Sequence, residues 1–284
     1  MEVHGRVEDL RAALGSRPRP VVFVPTMGAL HEGHLSLVRV GRNWAGGAGT
    51  VVASIFVNPS QFAPHEDFDA YPRPLERDLE MCREAGVDLV FTPPRDVMYA
   101  PDASVRVLEE RLSQGLCGRS RPHFFGGVCT VVAKLFHIVQ PDAAVFGEKD
   151  FQQLAVIRRM VRDLLWPIEI IPGPIVREVD GLAMSSRNQY LDAESRRQAT
   201  VLHQALGLAR AAIQGGERSS VALKELMETH VRTAPLARID YIELVDPDAL
   251  TPLEMISSQV LVAMAVFFGS TRLIDNLCLR DLTA

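Results

Sequence analysis

The chain has 284 residues, 47% of them hydrophobic and 23% charged, with a formal net charge of −5 at pH 7. These proportions describe a folded globular chain of one large or two unequal domains, and they exclude a disordered chain or one that recruits nucleic acid through a basic field. No apolar run reaches the ~20 residues of a membrane span, the charged stretch Met1–Ser16 lacks a signal-peptide core, and Cys82, Cys117, Cys129 and Cys278 are scattered without a Cys-x-x-Cys pair, so a cytoplasmic protein with reduced, packing thiols is expected.

Met1–Ser16 reads as a helix with Val7, Leu10, Ala13 and Leu14 at helical spacing. Val21-Val22-Phe23-Val24 then reads as a buried parallel strand, which Pro25 ends and Gly28 turns. A helix is expected from about Gly33. Strand, turn and helix N-terminus together make an anion site, because free backbone N–H groups and the positive end of the dipole point at whatever lies above the sheet. In His31-x-Gly33-His34 the spacing puts both imidazoles on one side of the first helical turn, and Gly33 lets a ligand approach the backbone. Neutral imidazoles can donate hydrogen bonds to developing negative charge. Two internally satisfied histidines, or two metal ligands, are the alternatives; a zinc site would need further ligands, and none is near in sequence.

Thr50–Val57 is a second buried strand ending in Asn58-Pro59-Ser60-Gln61-Phe62, where Asn58 and Gln61 sit at the carboxyl end that binds ligands in open α/β sheets. An ordinary Asn-Pro turn is the plainer reading. His65–Arg73 reads as a loop and Leu75–Ala85 as an amphipathic helix, in which Asp78 is either an assistant to a magnesium ion or a solvated carboxylate. Val87–Phe91 is a third strand. Gly115–Gly127 is glycine-rich and basic, and reads as a mobile flap carrying Arg119 and Arg121; a helix is expected over Thr130–Val139. Pro141–Phe146 is a fourth strand, ending in Gly147-Glu148-Lys149-Asp150-Phe151-Gln152-Gln153. There Gly147 permits close backbone approach, Lys149 can neutralise phosphate, and Gln153 projects from the next helical turn. Asp150 and Gln153 also have the spacing of a capping box.

A helix over Gln152–Leu165 and a strand over Ile168–Ile171 follow, with a domain boundary near Pro174. Met184-Ser185-Ser186-Arg187-Asn188 offers two hydroxyls and a cation, or else a surface turn. Asp192–Gln214 and Ser219–Arg232 read as helices, and Ile239–Val245, Gln259–Phe268 and Arg272–Leu279 as strands. The expected fold class is therefore α/β: a Rossmann-like doubly wound parallel sheet over residues 1–174, then a smaller α+β domain over residues 175–284.

Pro25-Thr26-Met27-Gly28-Ala29-Leu30-His31-Glu32-Gly33-His34 resembles the HxGH signature of the nucleotidylyltransferase superfamily and, within it, the pantothenate synthetase (pantoate–β-alanine ligase) family. Val57-Asn58-Pro59-x-Gln61-Phe62, Tyr71-Pro72-Arg73, Gly147–Leu154 and Met184–Asn188 extend the resemblance over Val21 to Leu279. One stretch departs from the pattern: in Arg121-Pro122-His123-Phe124-Phe125-Gly126-Gly127-Val128 the histidine is displaced by one position, and Phe124 takes its place.

The resemblance implies ATP-dependent ligation of pantoate and β-alanine to pantothenate through a pantoyl adenylate, releasing AMP and pyrophosphate, by a homodimer using Mg2+. It implies catalytic roles for His31, His34, Lys149, Ser185, Ser186 and Arg187. It implies nucleotide contacts at Met27, Gly28, Ala29, Leu30, His31, Glu32, Gly33, His34, Gly147, Glu148, Lys149, Asp150, Val176, Met184, Ser185, Ser186 and Arg187. Gln61, Gln153, Asn58 and Arg121 would contact substrate, Asp78 would assist the metal, and residues 175–284 would form a lid. A nucleotidyltransferase that keeps adenylate on its product, and a nucleotide-binding protein without catalysis, are the competing functions.

Overall fold

In a computed structural model the structure describes residues 1–64 and 66–282. It divides into two compact units. One comprises Met1–Arg111, Arg121–Glu148 and Gln153–Pro174; the other comprises Leu112–Ser120, Lys149–Gln152 and the chain from Ile175 onward.

Six parallel strands form the sheet of the first unit: β1 (Glu2–His4), β2 (Val21–Thr26), β3 (Thr50–Ile55), β4 (Leu89–Phe91), β5 (Ala143–Gly147) and β6 (Glu169–Gly173), in the order β1-β4-β3-β2-β5-β6. Helices flank the sheet, as the fold class requires. Successive side chains of β2 face opposite layers. Val22 and Val24 pack with Val38 and Ala45 of the helix Glu32–Ala45 and with Val51, Ala53 and Val145. Phe23 meets Phe136 of the helix Phe124–Val139 edge-on, with centroids 6.4 Å apart. Both layers are apolar, which is why these strands read as continuous hydrophobic runs rather than alternating ones.

The strand order reverses between β2 and β5, which are neighbours. Chain connections leave that point in opposite directions, so the carboxyl ends of β2 and β5 open a crevice of the kind that open α/β sheets use for ligands. The His31-x-Gly33-His34 turn follows β2, and Gly147-Glu148 closes β5.

Several boundaries differ from expectation. Glu2–His4 is a strand, paired in parallel only with β4 at the sheet edge; three residues with two polar side chains carry no strand signal. The expected mobile flap is largely helical. Leu116–Ser120 is a short helix, and the helix expected from Thr130 begins at Phe124. Gly126 and Gly127 are therefore inside a helix. Gly127 is there for packing: a Cβ at this position would overlap the backbone carbonyl of Ser60. His65, at the start of the expected loop, lies outside the described residues.

In the second unit β7 (Ala237–Val245), β8 (Val260–Phe268) and β9 (Thr271–Leu279) form an antiparallel sheet in sequence order, with a register shift between Ile239 and Tyr241. The helices Val201–Gln214 and Ser220–Val231 bury Leu202, Leu206, Ile213, Leu223 and Met227 with Ile242, Val262 and Met264 of the sheet. The helix expected over Asp192–Gln214 is two helices, Ala193–Gln198 and Val201–Gln214. Thr200 lies at the break, and its hydroxyl donates to the Arg197 carbonyl at 2.9 Å, a back-bond of the sort that bends helices.

None of the four cysteines is in a disulfide, and Cys82, Cys117 and Cys129 are buried. Burial pushes the Cys82 thiol up to about 11 and the Cys129 thiol to about 12. Both therefore stay protonated well above neutral pH, and only the thiolate is nucleophilic. The expected result is that iodoacetamide at pH 8 modifies neither residue in the folded protein and both in urea. Peptide mapping would check it, and rapid native-state labelling of Cys82 or Cys129 would contradict the packing. No helix among the described residues is long and apolar enough to cross a membrane.

Candidate active site

The turn after β2 contains two successive residues in the left-handed region, Gly28 (φ 80°) and Ala29 (φ 49°). Gly28 is required here: besides its positive φ, a Cβ would lie 2.9 Å from Asp78 Oδ2 and 3.0 Å from Ile55 Cγ2. Thr26 steadies the entry, its hydroxyl donating to the Ser54 carbonyl at 2.7 Å and accepting from the Gly28 N–H at 3.2 Å. The exit is held by Asp78 from the helix Leu75–Glu84. Its Oδ2 accepts the N–H of Ala29 and its Oδ1 that of Leu30, each at 2.8 Å.

The sequence reading of Asp78 as a solvated carboxylate is thereby corrected. The side chain is buried, with the residue only 1% exposed, and both oxygens are committed to backbone. It is a buried acceptor for the turn rather than a solvated carboxylate. Burial raises its pKa, and the N–H groups of Leu30 and Ala29 oppose that rise. Among the described residues no group of three or more His, Cys, Asp and Glu is placed to hold a metal ion.

The turn delivers His31 to the N-cap of the helix Glu32–Ala45 and His34 to its third position. His31 Nδ1 accepts the Gly33 N–H at 3.1 Å, and His34 Nδ1 accepts the His31 N–H at 3.3 Å. This is a capping box built from two imidazoles. The rings lie 4.1 Å apart at 42°. With Nδ1 an acceptor in both, each neutral ring carries its proton on Nε2. One nitrogen is thus internally satisfied while the other is a donor, so the two sequence readings apply to different atoms of the same rings. Glu32 is exposed and its side chain pairs with Arg39, which leaves its backbone as the part suited to a ligand.

At the end of β3, Asn58 is 1% exposed. Its Oδ1 accepts from the Ser60 and Tyr99 hydroxyls at 2.9 and 2.8 Å, and its Nδ2 donates to the Gly127 carbonyl at 3.1 Å. Asn58 fastens the Pro59–Gln61 turn to the helix Phe124–Val139. Arg121 is tied to the same turn. Its guanidinium forms a two-pronged pair with Glu66 at 2.6 Å on each arm and donates to the Gln61 carbonyl at 3.0 Å. The carboxylate it holds is the protein's own. Phe124 stacks 4.0 Å from that guanidinium, which accounts for an aromatic ring in place of the displaced histidine; His123 is exposed. Gln61, held from both sides by these contacts, is buried, and its side-chain amide pairs with no other described residue. The same holds for the half-buried Gln153. Their amides are the neutral polar groups left for a ligand.

Lys149, in the turn Glu148–Asp150, is half-buried with Nζ 3.8 Å from Asp150 Oδ2. Val176 and Met184 face each other in a hairpin, the Met184 N–H donating to the Val176 carbonyl at 2.9 Å. Ser185 then caps the turn Ser186–Tyr190, its hydroxyl accepting the Arg187 N–H at 3.3 Å.

These features define an α/β protein of the Rossmann-like class, with paired imidazoles at a helix N-terminus beyond the switch point of a parallel sheet. Residues 2–278 match the family described as pantoate–β-alanine ligase, and the chain belongs to that family. The pantothenate synthetase of Moorella thermoacetica is 54% identical over 274 residues, covering 96% of each chain. That of Thermotoga neapolitana is 53% identical over 279 residues, covering 97% of this chain and 99% of its own. Among solved structures, pantothenate synthetase from Thermus thermophilus superposes with a TM-score of 0.93 at 46% identity, covering 100% of both chains. The Francisella tularensis pantoate–β-alanine ligase, complexed with β-γ ATP and β-alanine, gives 0.79 at 29% identity, covering 100% of this chain and 99% of that one.

Proposed function

We propose that this chain ligates pantoate to β-alanine at the expense of ATP, with His31 and His34 stabilising the adenylation step through their Nε2 protons. The observation that carries the reading is the double use of Nδ1 as a helix-cap acceptor, which fixes the ring protons on Nε2. A carboxylate does not react with an amine at neutral pH, because oxide is a poor leaving group. Attack of the pantoate carboxylate on the α-phosphorus forms an O–P bond and breaks the bond to the β-phosphate oxygen, giving pantoyl adenylate and pyrophosphate. The β-alanine amine then attacks the acyl carbon and expels AMP. Negative charge grows on the α-phosphate and on leaving pyrophosphate in the first step, where preorganised donors act most strongly.

Lys149, Ser185, Ser186 and Arg187 are proposed to hold the β- and γ-phosphates. The backbone of Met27–Gly33 and of Gly147–Asp150, with Val176 and Met184, would line the nucleotide. Gln61 and Gln153 are proposed to hold pantoate as neutral clamps, since a cation would grip the attacking carboxylate too firmly. Magnesium would arrive on the nucleotide phosphates, where it keeps most of its water ligands; no described cluster of side chains suits it as a cage. Residues 1–174 would bind nucleotide and pantoate and residues 175–284 act as a lid, in a cytoplasmic homodimer.

Pyrophosphate–ATP exchange with pantoate present and β-alanine omitted tests the reaction. Pantoate-dependent exchange is expected, and Gln61→Ala or Gln153→Ala should raise the pantoate concentration for half-maximal exchange about tenfold or more, in keeping with loss of a buried polar contact. Exchange that ignores pantoate would overturn the reading, and a change confined to the ATP requirement would remove the two glutamines from the pantoate site.

A further inference from the structure

Two adjacent residues of β9 reach Lys149, proposed above to hold phosphate, and the hairpin that leads to the proposed phosphate loop Ser185-Ser186-Arg187. Asn276 is 6% exposed, and its Nδ2 donates to the backbone carbonyl of Lys149 at 2.9 Å. Asp275 is 2% exposed, and its carboxylate takes both arms of Arg177: Nη1 to Oδ2 at 2.6 Å and Nη2 to Oδ1 at 3.0 Å. Asp275 Oδ1 also accepts the Asn276 N–H at 2.8 Å, so the two side chains are tied to each other.

Arg177 is the second residue of the hairpin that leads to Ser185. It bridges to Ala183 across that hairpin, and its Nη1 donates to the Gly181 carbonyl at 3.0 Å. Leu182 anchors the far strand of the hairpin in the apolar core of the second unit, while Val179 at the tip is fully exposed and Arg177 ties the near strand to Asp275. A two-pronged guanidinium–carboxylate pair fixes orientation as well as distance. Lys149 is in the same situation, in a three-residue turn whose carbonyl is held by one buried amide.

We infer that Asp275 and Asn276 are positioning residues for adenylation, Asn276 acting through Lys149 and Asp275 acting through Arg177 on the Ser185-Ser186-Arg187 loop. The inference rests on the phosphate roles proposed for Lys149 and Arg187. A displacement of about 1 Å at a reacting centre lowers a rate by ~10²-fold, so the loss of one anchor is expected to cost ~10- to 100-fold in adenylate formation, with little change in the pantoate requirement.

Residues that act through one another give non-additive effects, and this supplies the test. Single-turnover adenylation is measured for Asn276→Ser and Asp275→Asn, alone and combined with Lys149→Ala or Arg187→Ala, with urea unfolding of each variant. The Asn276→Ser loss should vanish in the Lys149→Ala background and persist in the Arg187→Ala background. The Asp275→Asn loss should persist in full in the Lys149→Ala background and shrink in the Arg187→Ala background, where only the two serines still depend on the hairpin. If Asp275→Asn fails to fold, Arg177→Lys, which keeps the charge and loses the fork, carries the same expectation. Losses that are the same in both backgrounds, or that follow unfolding stability alone, overturn the inference while leaving the phosphate roles intact. Undiminished adenylation in Lys149→Ala and Arg187→Ala overturns those roles and the inference with them.

Discussion

His34→Ala is expected to slow adenylate formation by ~10²–10³-fold, the usual loss when one preorganised donor to a developing oxyanion is removed. The structure adds a second consequence. His34 Nδ1 accepts the His31 N–H, so the alanine also removes half of a capping box and should cost ~1 kcal/mol of stability. The two effects can be separated. Glutamine at the third helical position can accept the same N–H through its side-chain oxygen, but with that oxygen turned to the cap it has no counterpart of the ring Nε2–H that is proposed to donate a hydrogen bond to the developing phosphate charge. His34→Gln should therefore recover most of the stability and little of the rate. Single-turnover adenylation and urea unfolding on the three proteins check this. Recovery of rate together with stability in His34→Gln would reduce His34 to a helix cap.

The cap role of this residue and its proposed role toward phosphate rest on one local segment, and that explains what is legible in the sequence and what is not. The strand–turn–helix around His31 and His34 is evident because its signals are local: a run of β-branched residues, a glycine turn, and an apolar stripe. The strands facing two apolar layers are evident for the same reason. The partners of Asp78 are not, since they are backbone N–H groups 48 and 49 residues away. No side-chain pattern marks a backbone acceptor, and on a helix rich in charge, Asp78 looks like its neighbours. Asn58 and Arg121 are incompletely legible for a different reason. Both residue types suit a ligand, and only the fold reveals the structural bonds they make to Gly127, Tyr99 and Glu66. Gly126-Gly127 reads in sequence as part of a flap, whereas Gly127 is a space-making residue inside a helix. Asp275 and Asn276 sit within an apolar-patterned strand and carry no motif; two buried polar residues in a row on such a strand are the one signal that could have singled them out. Motifs whose chemistry is local thus survive transfer from sequence, while buttresses built from distant backbone do not.

Asp78→Ala follows from that buttress and should be the most destabilising single change near the turn. It leaves the N–H groups of Ala29 and Leu30 buried without acceptors, at ~1–3 kcal/mol each. It also releases a turn in which Ala29, a residue with a Cβ, holds a left-handed φ of 49°; such conformations persist only where the surroundings over-determine them. Freed from Asp78, the turn is expected to relax and carry His31 and His34 with it, so adenylation should fall by ~10²-fold through misplacement alone. Asp78→Asn keeps the shape but has one acceptor oxygen for two donors, and should lie between the wild type and Asp78→Ala in both stability and rate. Urea unfolding and single-turnover kinetics at saturating ATP and magnesium measure the two quantities. A metal-assisting carboxylate would behave differently: Asp78→Ala would keep its stability, and raising magnesium would restore its rate. The buttress predicts that added magnesium restores neither, because what is lost is an acceptor for two backbone donors and not a ligand for a cation.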